Sequence, residues 1–449
     1  MIQKLVILGS GESGTGAAIL GKKMGWQVFV SDKALIAAPY KQELIALGIN
    51  FEEGIHTLKH ILAADLVIKS PGIPDTIPLI IQIQQAGIKI ISEIEFAARY
   101  TKAKLIGITG TNGKSTTTSL TYHILKKAGL DVAIGGNIGL SFARQVAEKD
   151  CEVFVLEISS FQLDNCYETK FDIAVLLNIT PDHLDRYNYK LENYVAAKFR
   201  ITQNQTPACY FIYNADDEII CPQLAVAAIH GQKIPFSLEY KKPPSAYSDK
   251  EQITINLSPE NQSNTFYMAL QNLALVGKHN IYNSMAAAVI ANAMNIRKEV
   301  IRESLSDFQN LEHRMEFVAK VKGISFINDS KATNVNSAWF ALESYDAPII
   351  WIAGGVDKGN DYSMLSQLIK DKVRLIVCLG LDNRKIHEAF SKDVDMILNT
   401  SSMQEAVKVA FHMAEKDETV LLSPACASFD LFENYEDRGQ QFKHFVRNI

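Results

Sequence analysis

The sequence predicts an α/β protein of three consecutive units, each a mostly parallel sheet flanked by helices. Three observations carry this. Short apolar runs of strand length alternate with helical patterns along the whole chain, as at Lys4–Leu8, Leu105–Thr109 and Thr419–Leu422. Several of these runs empty directly into glycine-rich or polar turns, the layout of open α/β sheets, whose ligands sit at the carboxyl ends of strands. The third is size: 449 residues, 47% hydrophobic and 21% charged, are long enough for about three domains.

Within residues 1–98, Lys4–Leu8 runs into Gly9-Ser-Gly11-Glu-Ser-Gly14 and then a helical stretch to about Met24. A second run, Gln27–Ser31, ends at Asp32, where a ribose-binding acid would fall. Ala64–Ser70 closes on the rigid turn Pro71-Gly72-Ile73-Pro74, and Ile88–Ile91 adds one more strand. Taken alone the glycines suggest NAD. Only half of a dinucleotide fold precedes the next nucleotide motif, however, so a Rossmann-like half-fold holding one nucleotide diphosphate is the better expectation.

Residues 99–308 centre on Leu105-Ile-Gly-Ile-Thr-Gly110-Thr-Asn-Gly113-Lys114-Ser115, followed by a helical pattern to about Lys127. Glycines let backbone N–H groups approach phosphate oxygens, the helix start adds its positive end, Lys114 can reach the outer phosphates and Ser115 can ligate Mg²⁺. Ile108 stands where the general pattern has its first glycine. The strand Cys151–Glu157 ends in a carboxylate, the usual second element of such a site, since Mg²⁺ prefers hard oxygen ligands. Phe171–Ile179 releases Thr180-Pro-Asp-His183-Leu-Asp-Arg186 at the same rim. A helix is expected over Leu191–Gln203, with Lys198 on it. Asn280 is positioned to cap another helix, with Asn283 one turn further in as a candidate clamp on adenine. Lys233–Ser263 reads as turns and edge strands. The unit is expected to be a P-loop ATPase-type, mostly parallel sheet.

Residues 309–449 resume the pattern as a Rossmann-like doubly wound sheet, with Pro348–Ala353, Arg374–Leu379 and Thr419–Leu422 as its clearest strands. Three loops accompany them: Phe326–Asn334, Gly354–Gly359 and Ser423–Asp430. Lys331 and Lys358 bring cations, and Thr333 and Ser428 bring hydroxyls, a combination that suits a small anion with more than one carboxylate. Leu311-Glu-His-Arg314 places a permanent cation at the domain junction, within reach of ATP phosphates once the domains close.

The formal net charge of −5 argues against a general nucleic-acid or membrane-surface binder. Six cysteines show no C-x-x-C pair and read as reduced thiols. The first residues run straight into a strand without a signal-peptide layout, and no apolar run reaches spanning length. A cytoplasmic monomer without nucleic-acid or membrane partners is expected.

Together, G-T-N-G-K-S at 110–115, the Glu157 strand, T-P-D-H-L-D-R at 180–186, H-N-I-Y-N at 279–283, L-E-H-R at 311–314 and N-D-S-K-A-T-N at 328–334 resemble the Mur ligases, which build the peptide of bacterial cell wall. The glycine loop without the first glycine is itself typical of that superfamily. S-P-G-I at 70–73, G-N-I-G at 136–139, S-S-F-Q-L at 159–163 and L-S-P-A-C-A-S-F-D at 422–430 narrow the resemblance to the branch that adds D-glutamate to UDP-N-acetylmuramoyl-L-alanine. The D-N-P-R loop of diaminopimelate-adding relatives is absent; Asp382-Asn-Arg384 lacks the proline.

The resemblance implies ATP and Mg²⁺, the metal at two sites. It implies that Gly110, Thr111, Asn112, Gly113, Lys114, Ser115, Thr116, Asn280, Asn283, Arg314 and Asp329 hold ATP. Ser115, Glu157, His183 and a carbamylated Lys198 would ligate the metal. Lys114, His183, Lys198 and Arg314 would carry the catalysis. Asn137 and Gln162 would position the muramoyl-alanine, with Ser13, Asp32, Lys33 and Gly72 around the UDP portion. Lys331, Thr333, Lys358, Ser428 and, through its backbone, Tyr435 would surround D-glutamate. Glu12 is the awkward residue: it follows the second glycine, where an apolar side chain would suit a diphosphate better.

Overall fold

The first sheet comprises β1 (Lys4–Leu8), β2 (Gln27–Asp32), β3 (Asn50–Glu53), β4 (Leu66–Lys69) and β5 (Lys89–Ile91) in the order β3-β2-β1-β4-β5, all parallel. β1 is buried from Leu5 onward, as a strand covered on both faces must be. The half-fold expected for this region is therefore present, with one strand more than its apolar runs announce. β3 escaped the pattern because Asn-Phe-Glu-Glu is a half-buried edge strand. The computed structural model describes residues 2–239, 245–249, 251–257, 265–275, 277–309, 312–345, 348–357 and 359–449.

The central sheet contains β6 (Lys104–Thr109), β7 (Val132–Gly136), β8 (Val153–Glu157), β9 (Ile173–Leu176), β10 (Tyr210–Asn214), β11 (Gln232–Ser237), β12 (Ala246–Ser248), β13 (Gln252–Ile255) and β14 (Phe266–Ala269). Its order is β14-β13-β12-β11-β10-β9-β6-β8-β7, parallel from β7 to β12 and antiparallel at β13 and β14. The chain leaves β6 for β7, comes back through β8 on one side of β6, and passes to β9 on the other. That switch point is where ligands of doubly wound sheets sit. Gly107 is required inside β6: a Cβ there would lie 2.6 Å from the Phe171 ring. The helix expected over Leu191–Gln203 is α-helical only from Leu191 to Phe199 and tightens to 3₁₀ over Arg200–Thr202.

The third sheet holds β15 (Glu316–Val321), β16 (Ile324–Asn328), β17 (Ile349–Ala353), β18 (Val373–Leu379), β19 (Ile397–Thr400) and β20 (Thr419–Leu422), in the order β15-β16-β20-β17-β18-β19. Only β15 runs antiparallel. Phe326–Asn328, expected in a loop, is the end of β16; Phe326 is fully buried, and the polar turn begins at Asp329.

Two compact units emerge, Met1–Ala274 with Ile281–Phe308, carrying the first two sheets, and Leu275–Asn280 with Gln309–Ile449, carrying the third. Among the described residues no helix is long and apolar enough to cross a membrane.

Inside the first unit, the first and central sheets are joined through the helices Glu12–Lys23 and Phe142–Glu148. Their approach is close at Gly16, where a Cβ would collide with the Ser141 hydroxyl. Glu93 is fully buried at this junction and accepts a hydrogen bond from the Ala143 N–H. Burial pushes its carboxyl up to about 8 from 4.5, against the opposing pull of the Ala143 N–H and the Ser13 hydroxyl. Folding therefore takes up a proton between pH 4.5 and 8, and stability from this group falls as pH rises across that window. Thermal melts across it are expected to show Glu93→Gln, which mimics the protonated acid, with a flatter profile than the parent. Parallel profiles would contradict the assignment.

Candidate active site

The phosphate loop is built as its residue types dictate. β6 ends at Thr109, Gly110 takes φ 155°, Gly113 takes the left-handed φ of 83°, and the helix Lys114–Lys127 starts at once. The Lys114 ammonium donates to the carbonyl oxygens of Gly110 and Thr111 at 2.8 and 2.7 Å, so the cation lies over the loop's own backbone. Ser115 and Thr116 are buried in the first helical turn.

The loop is fastened to the carboxyl end of β9. Asn178 accepts from the Asn112 N–H at 2.8 Å and donates its amide to the Asn112 carbonyl at 3.0 Å. The Thr111 N–H donates to the Asn178 carbonyl at 2.9 Å, and the Thr111 hydroxyl exchanges hydrogen bonds with the Thr180 backbone. Asn178 was not singled out in the sequence. Its only signal was its place at the end of the third apolar run. Asn178→Ala is expected to loosen the loop and raise KM for ATP about tenfold, the scale of one lost buried polar pair. Initial-rate kinetics at varied ATP would check it.

Asn283 lies against this loop. It accepts from the Thr117 hydroxyl at 3.3 Å, and a Cβ on Gly113 would collide with its side chain. Asn280 does not cap its helix as the sequence suggested, because the helix begins at Lys278 and puts Asn280 in the first turn.

Glu157 is the last residue of β8, opposite Ile108 of β6, and is 2% exposed. The Asn137 amide donates to its Oε1 at 3.0 Å, and the Asn137 N–H to its carbonyl at 2.8 Å. Asn137, which the resemblance assigns to the muramoyl acid, thus also braces this carboxylate. Gln162 is engaged likewise, its carbonyl oxygen closing a capping box with Ser159. His183 has a positive φ of 52°, with its ring 5.1 Å from that of Phe161.

Lys198 is 1% exposed, donates to the Gly110 carbonyl at 2.8 Å and sits 4.6 Å above the Tyr194 ring. Burial and the neighbouring Lys114 hold its amine well below the ordinary lysine value. A neutral buried amine is the form that reacts with carbon dioxide. Among the described residues, no three His, Cys, Asp or Glu side chains gather to hold a metal. A hard cation here would instead take mixed oxygen ligands, and Ser115 in the first turn of the helix after β6 and Glu157 at the end of the neighbouring β8 supply the donor type that fits magnesium.

At the first sheet, Asp32 accepts from the N–H and hydroxyl of Ser10 at 2.7 and 2.6 Å, and from the Ala34 N–H at 2.9 Å. Burial tends to raise its carboxyl, but these donors prevail and hold it below the usual value. Lys33 is exposed, and the Ser13 hydroxyl faces Glu93. The Gly72 turn is held by Arg186, whose guanidinium donates to the Pro71, Gly72 and Ile73 carbonyls at 3.2–3.3 Å and stacks 4.5 Å over Phe161. Arg186 was legible only as the last letter of a motif.

In the second unit, Asp329 follows β16 and is buried. It accepts from the Ser423 hydroxyl at 3.0 Å and the Met315 N–H at 3.2 Å. Burial pushes its carboxyl up to about 7, with Arg314 opposing. Arg314 stands between two residues of positive φ, His313 and Met315. Lys331 lies 5.4 Å over the Tyr435 ring, and the Tyr435 carbonyl accepts from the Ser330 hydroxyl at 2.8 Å. Thr333 is half-buried in the turn after Asp329, and Ser428 is buried. Lys358, and Leu311 of the L-E-H-R motif, lie outside the described residues. A cavity of about 500 Å³ opens beside Gly355, lined by Asp357, Tyr362, Arg384, Lys385 and Cys426 among others; neither Thr333 nor Ser428 lines it. Arg438, 1% exposed, donates to the Ser330 hydroxyl and carbonyl and to the Cys426 carbonyl, so it ties two of these loops to the last helix. No local pattern announced it. Arg438→Met is expected to cost about 1–3 kcal/mol of stability in denaturant melts, because buried neutral acceptors on both loops are left without their donor while the desolvation of the guanidinium is relieved.

Comparison with known proteins places these features in a lineage. Family models described as Mur ligase MurD-like N-terminal domain, Mur ligase middle domain, and Mur ligase glutamate ligase domain match residues 3–92, 108–291 and 313–426. The chain is 53% identical over 449 residues to a UDP-N-acetylmuramoylalanine--D-glutamate ligase of Christiangramia forsetii, covering 100% of both chains. The same identity and coverage hold for a protein of that name from Bacteroides fragilis. Among solved structures, a pseudomurein peptide ligase type C from Methanothermus fervidus shares the fold, with a TM-score of 0.64 at 21% identity over 99% of each chain. With full-length relatives at that identity, and each of its three sheets lying largely within one of those matches, the chain belongs to the Mur ligase family.

Proposed function

We propose that this protein is an ATP-dependent ligase that joins the carboxylate of UDP-N-acetylmuramoyl-L-alanine to the amine of D-glutamate, releasing ADP and phosphate, in peptidoglycan precursor synthesis. The observation that carries it is the meeting of Lys114 and Lys198 on one carbonyl of the phosphate loop, each at 2.8 Å from the Gly110 oxygen. The identity to relatives of that name supports the choice of substrates. On this reading 1–98 binds the UDP portion, 99–308 binds ATP and 309–449 binds the amino acid, in a cytoplasmic monomer.

The difficulty of the first step is electrostatic, since a carboxylate must attack a phosphoryl group of like charge. Lys114 and Arg314 screen that repulsion, while Gly110 to Thr116 orient the triphosphate and Asn280, Asn283 and Asp329 hold the nucleoside. Ser115, Glu157, His183 and a carbamylated Lys198 would hold magnesium at two sites, and magnesium bound there would neutralise phosphate charge. Asn137 and Gln162 position the acid, and Ser13, Asp32, Lys33 and Gly72 its nucleotide. The acyl phosphate so formed is attacked by the amine of D-glutamate, held by Lys331, Thr333, Lys358, Ser428 and the Tyr435 backbone. The tetrahedral adduct loses the proton of its ammonium, breaks its carbon–oxygen bond to expel phosphate, and collapses to the amide.

The test is phosphate release with UDP-N-acetylmuramoyl-L-alanine and a panel of D- and L-amino acids. Turnover is expected only with the acid and D-glutamate together. Equal turnover with either omitted would make the protein a hydrolytic ATPase, and a shift to another amino acid would reassign the third domain's site.

A further inference from the structure

Glu12 is the first residue of the helix that opens on the Gly9–Gly14 loop, directly after the N-cap Gly11. A carboxylate at that place competes with any diphosphate for the helix's positive end. In the fold it is not left there. Arg144, from the first turn of the helix Phe142–Glu148 and 7% exposed, donates Nε to Glu12 Oε1 at 2.9 Å and Nη2 to Oε2 at 3.2 Å. The Ser141 N–H adds a bond to Glu12 Oε1 at 2.9 Å. The same guanidinium grips Glu43 at 3.0 and 2.9 Å, so one cation is shared by two acids.

We propose that Arg144 is a positioning residue for the nucleotide end of the substrate: it holds the Glu12 carboxylate off the glycine loop and neutralises it, so that the loop stays open to the diphosphate of a UDP-linked acid. The inference rests on the function proposed above. It predicts more than a docking role, because losing Arg144 does harm through the charge it leaves behind on Glu12.

In steady-state kinetics, Arg144→Ala should raise KM for UDP-N-acetylmuramoyl-L-alanine about tenfold, the scale of one uncompensated like charge, with kcat within about twofold of the parent. Calorimetric titration with UDP alone should weaken in parallel. The double variant E12A/R144A should recover most of the lost affinity, and Arg144→Lys, which keeps the charge but not the two-bond grip on Glu12, should raise KM by no more than about threefold. Glu43→Gln leaves Arg144 wholly to Glu12 and should leave KM unchanged or lower. Should Arg144→Ala fail to fold, the lysine and Glu43 variants decide: a KM raised by Glu43→Gln, or raised by about tenfold in Arg144→Lys although its charge is intact, overturns the proposal. So does a double variant no better than the single one, or a fall in kcat at constant KM, the signature of a contact that only joins the two helices. A parent protein that binds UDP yet shows no turnover with the acid would count against the proposed reaction instead, and UDP affinity would still test Arg144.

Discussion

Replacing Lys114 by alanine is expected to lower phosphate release by about 10²- to 10³-fold, equivalent to about 3–4 kcal/mol of transition-state stabilisation, with little change in melting temperature. The expectation follows from where the ammonium lies. It rests within 2.8 Å of two carbonyl oxygens of the loop and can swing to the phosphoryl group, whose charge is redistributed in the transition state. Those loop hydrogen bonds cost little to lose, because Lys114 is only half-buried and water can take its place. Arginine is not expected to substitute, since a planar fork cannot occupy the site of a compact ammonium. Single-turnover measurements would separate the chemical step from ATP binding, and a variant within tenfold of the parent would remove Lys114 from the mechanism.

Lys198→Met is expected to reduce turnover by at least about 10²-fold while leaving stability unchanged or slightly improved. The two effects separate because the buried amine is costly to charge. Removing an ionisable group from such a site relieves desolvation, and a methionine of similar length refills the space beside Tyr194. Activity falls if the amine is the precursor of a carbamate ligand. After equilibration with ¹³C-bicarbonate, a carbamate resonance is expected in the parent and absent from Lys198→Met. A variant that loses activity only as it loses stability would assign Lys198 to packing.

Much of the first two sheets was legible because each strand's period and its terminal residues tell the same story. Leu105 to Ser115 specifies strand, left-handed glycine and helix start in eleven consecutive positions, and the structure follows them one by one. Asp32 and Glu157 were legible as acids at the ends of buried strands. Long-range partners were not. Asn178 meets Asn112 across 66 positions, Arg144 meets Glu12 across 132, and Arg438 meets Ser330 across 108, distances at which no local periodicity carries information. Glu12 looked misplaced beside a diphosphate loop for this reason: its guanidinium partner comes from another sheet's helix. The Asn280 cap was misread because Gly277, with φ 100°, lets the helix begin three residues earlier, at Lys278. Likewise β16 was hidden by the polar turn that follows it, although Phe326 and Ile327 are core residues.

The central claim is that ATP activates a carboxylate, and its oxygen atoms record whether it does. With the alanyl carboxylate of UDP-N-acetylmuramoyl-L-alanine labelled with ¹⁸O, mass spectrometry of the phosphate released in the presence of D-glutamate should find one label transferred per amide formed. Phosphate carrying only solvent or nucleotide oxygen would contradict an acyl phosphate and, with it, the roles assigned to Lys114 and Arg314.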